Sequence, residues 1–193
     1  MIPKIQFHRS HVYDEHLVRP EDFVMPSDDF LYKNTRKLEL KWRKIEKKVL
    51  KELEDVTGLP WRENHIYIYI TSGVGWFSLP LTLSITEDID FLLHTLVHEL
   101  IHRIISENEN WASIEDRWFK LMEEYKDENF NTRTHVPIHA IHKHVYLKLF
   151  SQKELDLEIK KMRDIKDYAR SWSIVQSGDY RKIIRSLNPK FKA

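Results

Sequence analysis

The sequence predicts an α+β fold in a single domain covering residues 1–193, with a short twisted sheet and a mainly helical C-terminal half. Three observations support this prediction. Apolar residues recur at three- and four-residue spacings over residues 31–56, which indicates a helix. Apolar and polar residues alternate over 65–71 and again over 76–85, as in strands. Helical spacing then returns and continues nearly to the C-terminus.

The N-terminal segment, residues 1–31, shows neither period and contains Pro20 and Pro26, so we expect an irregular arm packed over the domain. In the first helix, over 31–56, lysines lie between the apolar positions. Gly58-Leu59-Pro60 is typical of a helix end, because glycine accepts left-handed backbone and proline cannot continue the helix.

The segment 65–71, rich in β-branched and aromatic residues, predicts the first strand, and the glycine-containing sequence after it predicts a turn. The second strand is predicted over 76–85, with Pro80 inside it. A proline has no N–H to donate to a neighbouring strand, so we expect this strand at an edge of the sheet.

Thr86-Glu87-Asp88 can cap a helix that we expect to run to about Ser106. That helix is apolar on most of its surface, which indicates burial. Helices are also expected at about 112–127 and 135–151, the latter with Pro137 in its first turn. A helical extension over 152–193 would contain a charged helix to about residue 173 and a short one near 178–187.

Composition excludes several kinds of function. The chain has no cysteine, which excludes thiolate metal sites, disulfides and cysteine nucleophiles. Its four glycines form no phosphate-binding loop motif. The net charge of +1 gives no overall attraction to nucleic acid or an anionic membrane, so neither partner is expected. Without an apolar leader or a stretch of about 18 apolar residues, the expected location is cytoplasmic.

One motif carries chemistry: His98-Glu99-Leu100-Ile101-His102, which has the pattern H-E-x-x-H. On a helix, His98 and His102 lie one turn apart on the same face, where both rings can bind one Zn²⁺. Glu99 then lies beside the metal and can take a proton from the zinc-bound water. Two histidines and a carboxylate within an apolar helix are costly to bury unless something compensates them, which favours a metal over a histidine-containing core.

The segment from Phe77 to Ile105, with an edge strand followed by a capped helix carrying the motif, resembles the zincin metallopeptidases. The resemblance implies a small zincin-like domain and a zinc-dependent hydrolase that cuts peptide bonds. It also implies that the edge strand lies above the metal and pairs with an extended peptide or protein substrate. The chain departs from the metzincin pattern, because Ile105 and Asn108 stand where that subclass has glycine and histidine.

The third protein ligand is open on sequence alone. We expect His139, flanked by apolar residues, to be the ligand, with His135 one turn earlier stabilising the oxyanion. His135 itself, or the acids Glu123 and Glu124, are the alternatives. We assign His94 to the core or to the metal's surroundings, and expect no metal at His142 or His144.

A second class of function competes with hydrolysis: a non-enzymatic module stabilised by zinc that binds nucleic acid or a protein partner. Catalytic zinc sites leave one position to water, whereas structural sites fill all positions with protein ligands. Glu99, a non-ligand carboxylate at the motif's second position, favours the enzyme. The helix near 33–51 is rich in lysine and arginine. Because the total charge is near zero, we interpret its basic face as exposed to solvent and not as a binding surface.

Overall fold

A computed structural model describes residues 1–16 and 23–192. It confirms the α+β class: helices dominate and one small mixed sheet is present. The elements in chain order are β1 (Lys4–Arg9), α1 (His11–His16), α2 (Asp28–Thr57), β2 (His65–Thr71), β3 (Trp76–Ser78), β4 (Leu81–Ser84), α3 (Ile89–Ser106), α4 (Asn108–Glu124), α5 (Phe130–Leu149), α6 (Gln152–Met162), α7 (Lys166–Ser177) and α8 (Tyr180–Leu187).

The chain divides into two compact units. The first contains residues 1–47 and 61–103 and holds the sheet, α1, most of α2 and most of α3. The second contains residues 48–60 and 104–193 and holds the end of α2 and the C-terminal helices, among which α5 packs against α6, α7 and α8.

The sheet has the strand order β1-β2-β4-β3. β1 and β4 run parallel to β2, with Ile5 opposite Ile66 and Thr71 opposite Ser84. β3 is antiparallel to β4 and lies at one end of the order. Inward-facing isoleucines and leucines of these strands are almost fully buried, which gives the sheet an apolar face: Ile5, Ile66, Ile68, Ile70, Leu81 and Leu83.

Two predictions about the first unit are wrong. The expected irregular arm contains β1 and α1, while its residues 17–22 lie outside the described part of the chain. The expected strand over 76–85 is a hairpin, in which β3 and β4 are separated by Leu79 and Pro80. Pro80 follows a cis peptide bond in the turn, so its missing N–H removes no bond from the strand ladder.

Two helix boundaries in the second unit also differ from the prediction. α5 begins at Phe130, five residues earlier than expected, because the side chain of Asn129 accepts a hydrogen bond from the N–H of Thr132 and caps the helix. Pro137 therefore lies inside α5 and not in its first turn. The expected charged helix up to residue 173 is two helices, α6 and α7, joined by a short turn.

Candidate metal centre

The helix α3 is positioned by its cap and by its apolar surface. The carboxylate of Asp88 accepts a hydrogen bond of 2.9 Å from the N–H of Phe91, as the predicted cap requires. Most of the apolar side chains of α3 are fully buried: Leu92, Leu96, Val97, Leu100, Ile101 and Ile104. The histidines and Glu99 of the motif therefore project from a rigid, buried helix.

His98 and His102 lie on the same face of α3, as the four-residue spacing predicts. Their Nε2 atoms are 3.1 Å apart, and their ring centroids are 4.8 Å apart. Two imidazole nitrogens within a few ångströms of each other can bind a single ion, since each zinc–nitrogen bond is about 2.0–2.1 Å long.

Glu99 is 8 % exposed, and its burial raises the pKa of its carboxyl to about 7. Desolvation is the cause, because a charged carboxylate is disfavoured where water is excluded. A carboxyl whose pKa is near 7 exchanges a proton readily at neutral pH, which suits a general base.

His135, in the second turn of α5, is held in one tautomer. Its Nδ1 lies 2.8 Å from the carbonyl oxygen of Asn131 and donates to it, which leaves Nε2 with a lone pair for a metal. Burial lowers the pKa of its imidazole, against smaller opposing effects of this hydrogen bond and of Asp167. The ring also packs at 4.4 Å from that of Tyr168, so both its charge state and its orientation suit a neutral ligand.

Of the described residues, one group could hold a metal ion, and it consists of His98, His102 and His135. The ligand atoms of the three side chains all lie within 4.8 Å of one another. A set of three neutral imidazoles matches known catalytic zinc sites, which leave a fourth position to water. The donor set also suits other divalent transition metals, so it fits zinc without identifying it.

The predicted third ligand, His139, is not a member of this group, whose third histidine is His135. His139 is 1 % exposed, and its ring is stacked on Trp172 at 4.2 Å with an interplanar angle of 9°. The hydroxyl of Ser171 donates to the carbonyl of Tyr168 at 3.0 Å, so it accepts the 2.7 Å bond from Nδ1 of His139. These contacts fix His139 firmly against α7.

The other candidates do not join the group either. Glu123 and Glu124 are exposed, and Glu123 lies 3.7 Å from the ammonium of Lys126. His142 is 1 % exposed and packs edge-on against Tyr146. Nε2 of His144 lies 2.9 Å from a carboxylate oxygen of Glu52. His94 is buried, as expected.

Arg103, next to His102, has a positioning contact that the sequence did not reveal. Its guanidinium forms two hydrogen bonds with Glu63, one of 2.8 Å from Nε, and its Nη1 lies 3.3 Å from the carbonyl oxygen of Ser78 in β3. It thereby connects the motif's helix to the end of the sheet. A basic residue after the motif was visible in the sequence, but its partner 40 residues earlier was not.

Strand β3 is also attached to α3 at its other end. The ring of Trp76 packs edge-on against Phe91 at 5.5 Å. Beyond it, Phe77 in β3 is 48 % exposed, and Leu79 in the turn that follows β3 is 63 % exposed. The terminal strand thus presents apolar surface to its surroundings.

Comparison with known protein families gave no matching family model, and searches of curated proteins and of solved structures gave no match. Within the described residues, no helix is both long enough and apolar enough to cross a bilayer. The interpretation of the site therefore depends on its own chemistry.

Proposed function

We propose that the protein is a zinc-dependent metallopeptidase, with His98, His102 and His135 as ligands and Glu99 as general base. The observation that carries this proposal is the three-histidine group with a buried carboxyl next to its first member. Glu99 is not needed to complete the ligand set. A buried carboxyl that forms no ion pair or hydrogen bond with the described part of the chain is best explained by catalysis.

Zinc bound at this site would lower the pKa of its coordinated water and polarise a substrate carbonyl. Glu99 would take a proton from the attacking water and pass it to the leaving amine. The hydrogen bond from His135 to Asn131 maintains the tautomer that can act as a ligand. In this assignment His135 binds the metal, and the oxyanion role that the sequence suggested for it is withdrawn.

The substrate that we propose is an extended peptide, added as a further strand beside β3. Strand addition uses main-chain hydrogen bonds, and exposed apolar side chains at the edge supply contacts to alternate side chains of the peptide. Phe77 and Leu79 are the exposed apolar residues available there. Arg103 would hold this strand at a fixed distance from the histidines through Ser78.

The test is a comparison of Glu99→Gln with the wild type on a randomised fluorogenic peptide library. The wild type should retain about one zinc per chain and cleave library members, since three histidines suffice for a catalytic site. Glu99→Gln should retain the same zinc but lose roughly 10²–10⁴-fold in turnover, the usual contribution of a general base.

Glu87→Gln, an identical chemical change at an exposed residue before α3, is the matched control and should leave turnover unchanged. Equal turnover of Glu99→Gln and the wild type would contradict the mechanism. A zinc-loaded wild type that cleaves no library member would instead favour the non-enzymatic, zinc-stabilised module.

A further inference from the structure

The exposed face of α2 carries a row of lysines that the proposed peptidase site does not use. Lys33, Lys37, Lys44 and Lys47, here called the lysine stripe, are all exposed. They are separated by four, seven and three residues, spacings that place all of them on one face of a helix. Four positive charges thus form a line along the helix.

The acidic residues of this part of α2 do not neutralise the stripe. Residues 33–47 contain seven lysines and arginines against two glutamates. Glu39 is bound by Arg36 at 2.9 Å and by Arg43 at 3.2 Å, and Glu46 is bound by Arg43 at 2.6 Å. Within the stripe, Lys37 donates to the amide oxygen of Asn34 at 3.1 Å, and this partner is uncharged. As far as residues 1–16 and 23–192 show, the positive charge of the stripe is therefore available to a partner.

The opposite face of α2 is buried in the core, where Leu31, Leu38 and Trp42 are at most 1 % exposed. The helix therefore cannot lay an apolar face into a lipid bilayer, which an interfacial amphipathic helix needs. Near the stripe, the exposed large apolar residues are Leu40 and Tyr32. Attraction at this surface is almost purely electrostatic.

We infer that the lysine stripe binds the phosphate backbone of a nucleic-acid duplex. From Lys33 to Lys47 the stripe extends about 21 Å along the helix axis, which corresponds to roughly six base pairs at 3.4 Å each. Lysines are flexible point charges that bind phosphates without the forked geometry of arginine, so the recognition is independent of sequence. The net charge of +1 does not oppose this binding, because charges beyond about 8 Å are largely screened at physiological salt.

The experiment measures binding of a fluorescent 20-base-pair DNA duplex by anisotropy between 50 and 200 mM NaCl. Four phosphate contacts give a slope of about −3.6 for log K against log salt, or roughly a 150-fold loss of affinity over this range. The variant Lys33→Gln/Lys37→Gln/Lys44→Gln/Lys47→Gln should abolish binding, and Lys44→Gln alone should reduce the slope by about 0.9.

The matched control replaces four exposed lysines elsewhere with glutamine, giving the same net charge: Lys120, Lys153, Lys166 and Lys182. Its duplex affinity should remain within about twofold of the wild type, since distant charges are screened. Circular dichroism checks that each variant is folded. If the quadruple variant does not fold, Lys44→Gln alone tests the stripe. Three results would each overturn the inference: no duplex binding by the wild type at 50 mM NaCl, equal loss in the control, or stripe-dependent binding to phosphatidylserine vesicles without duplex binding.

Discussion

Replacing His139 with alanine tests our proposal that this histidine stabilises the fold and does not bind the metal. The mutation removes a ring stacked on Trp172, worth about 0.5–1.5 kcal/mol, and leaves the Ser171 hydroxyl without its donor, at a cost of about 1–3 kcal/mol. We therefore expect a loss of about 3 kcal/mol in the free energy of unfolding, because the site is 1 % exposed and cannot fill with bulk water. For a chain of this length, that corresponds to a fall in Tm of about 6–12 °C.

We expect zinc binding to depend on His135 and not on His139. His139→Ala should keep about one zinc per chain after dialysis, whereas His135→Ala should bind zinc at least ~100-fold more weakly, since it removes a direct ligand and not merely a neighbouring group. The assay pairs thermal unfolding with metal analysis of the same samples. Ser171→Ala, which removes the hydrogen bonds of the hydroxyl with His139 and with the Tyr168 carbonyl but keeps the His139 ring, serves as a control and should cost about 1–3 kcal/mol. Loss of zinc in a folded His139→Ala protein, with zinc retained in His135→Ala, would refute the assignment.

Two further predictions concern stability. Removing zinc with a chelator should lower the Tm by about 5–10 °C, because a ligand at 100 times its Kd stabilises the folded state by about 2.7 kcal/mol; an unchanged Tm in differential scanning fluorimetry would argue against a metal. Arg103→Met should cost about 2 kcal/mol in urea unfolding, since it removes charged hydrogen bonds from Glu63. A double-mutant cycle with Glu63→Gln should give a coupling of about 1–2 kcal/mol, and additive losses would show that the pair contributes nothing.

Features of the motif's helix could be predicted because they are local. The cap at Asp88, the burial of α3 and the shared face of His98 and His102 all follow from spacing along one helix. Burial of Glu99 follows from the same pattern, since the neighbouring positions are apolar. No long-range information was needed for any of them.

The prediction of an irregular N-terminal arm was wrong because it did not include long-range strand pairing. β1 is defined by its pairing with β2, about 60 residues later, and its own six residues alternate only weakly. The turn at Pro80 was also missed, because a proline in an alternating segment fits both an edge strand and a hairpin turn. Both choices depend on partners that a local pattern does not contain.

The preference for His139 over His135 as third ligand also rested on local sequence, without knowledge of contacts from distant residues. The two residues are one turn apart on α5, so spacing alone places them on the same face. Their hydrogen-bond partners differ: the carbonyl of Asn131 on the same helix for His135, and the hydroxyl of Ser171 on α7 for His139. Since the contact with Ser171 comes from a residue 32 positions away, the sequence around His139 suggested an inward-facing ligand and gave no sign of its partner.

X-ray absorption at the zinc K-edge of the metal-loaded protein tests the central claim most directly. We predict three imidazole nitrogens and one further oxygen, all at about 2.0–2.1 Å, which is an open catalytic site with water in the fourth position. In a His135→Ala variant that stays folded and still binds zinc, the number of imidazole nitrogens around the zinc should fall to two. A protein that binds no zinc, or whose zinc has four protein ligands, would contradict the account.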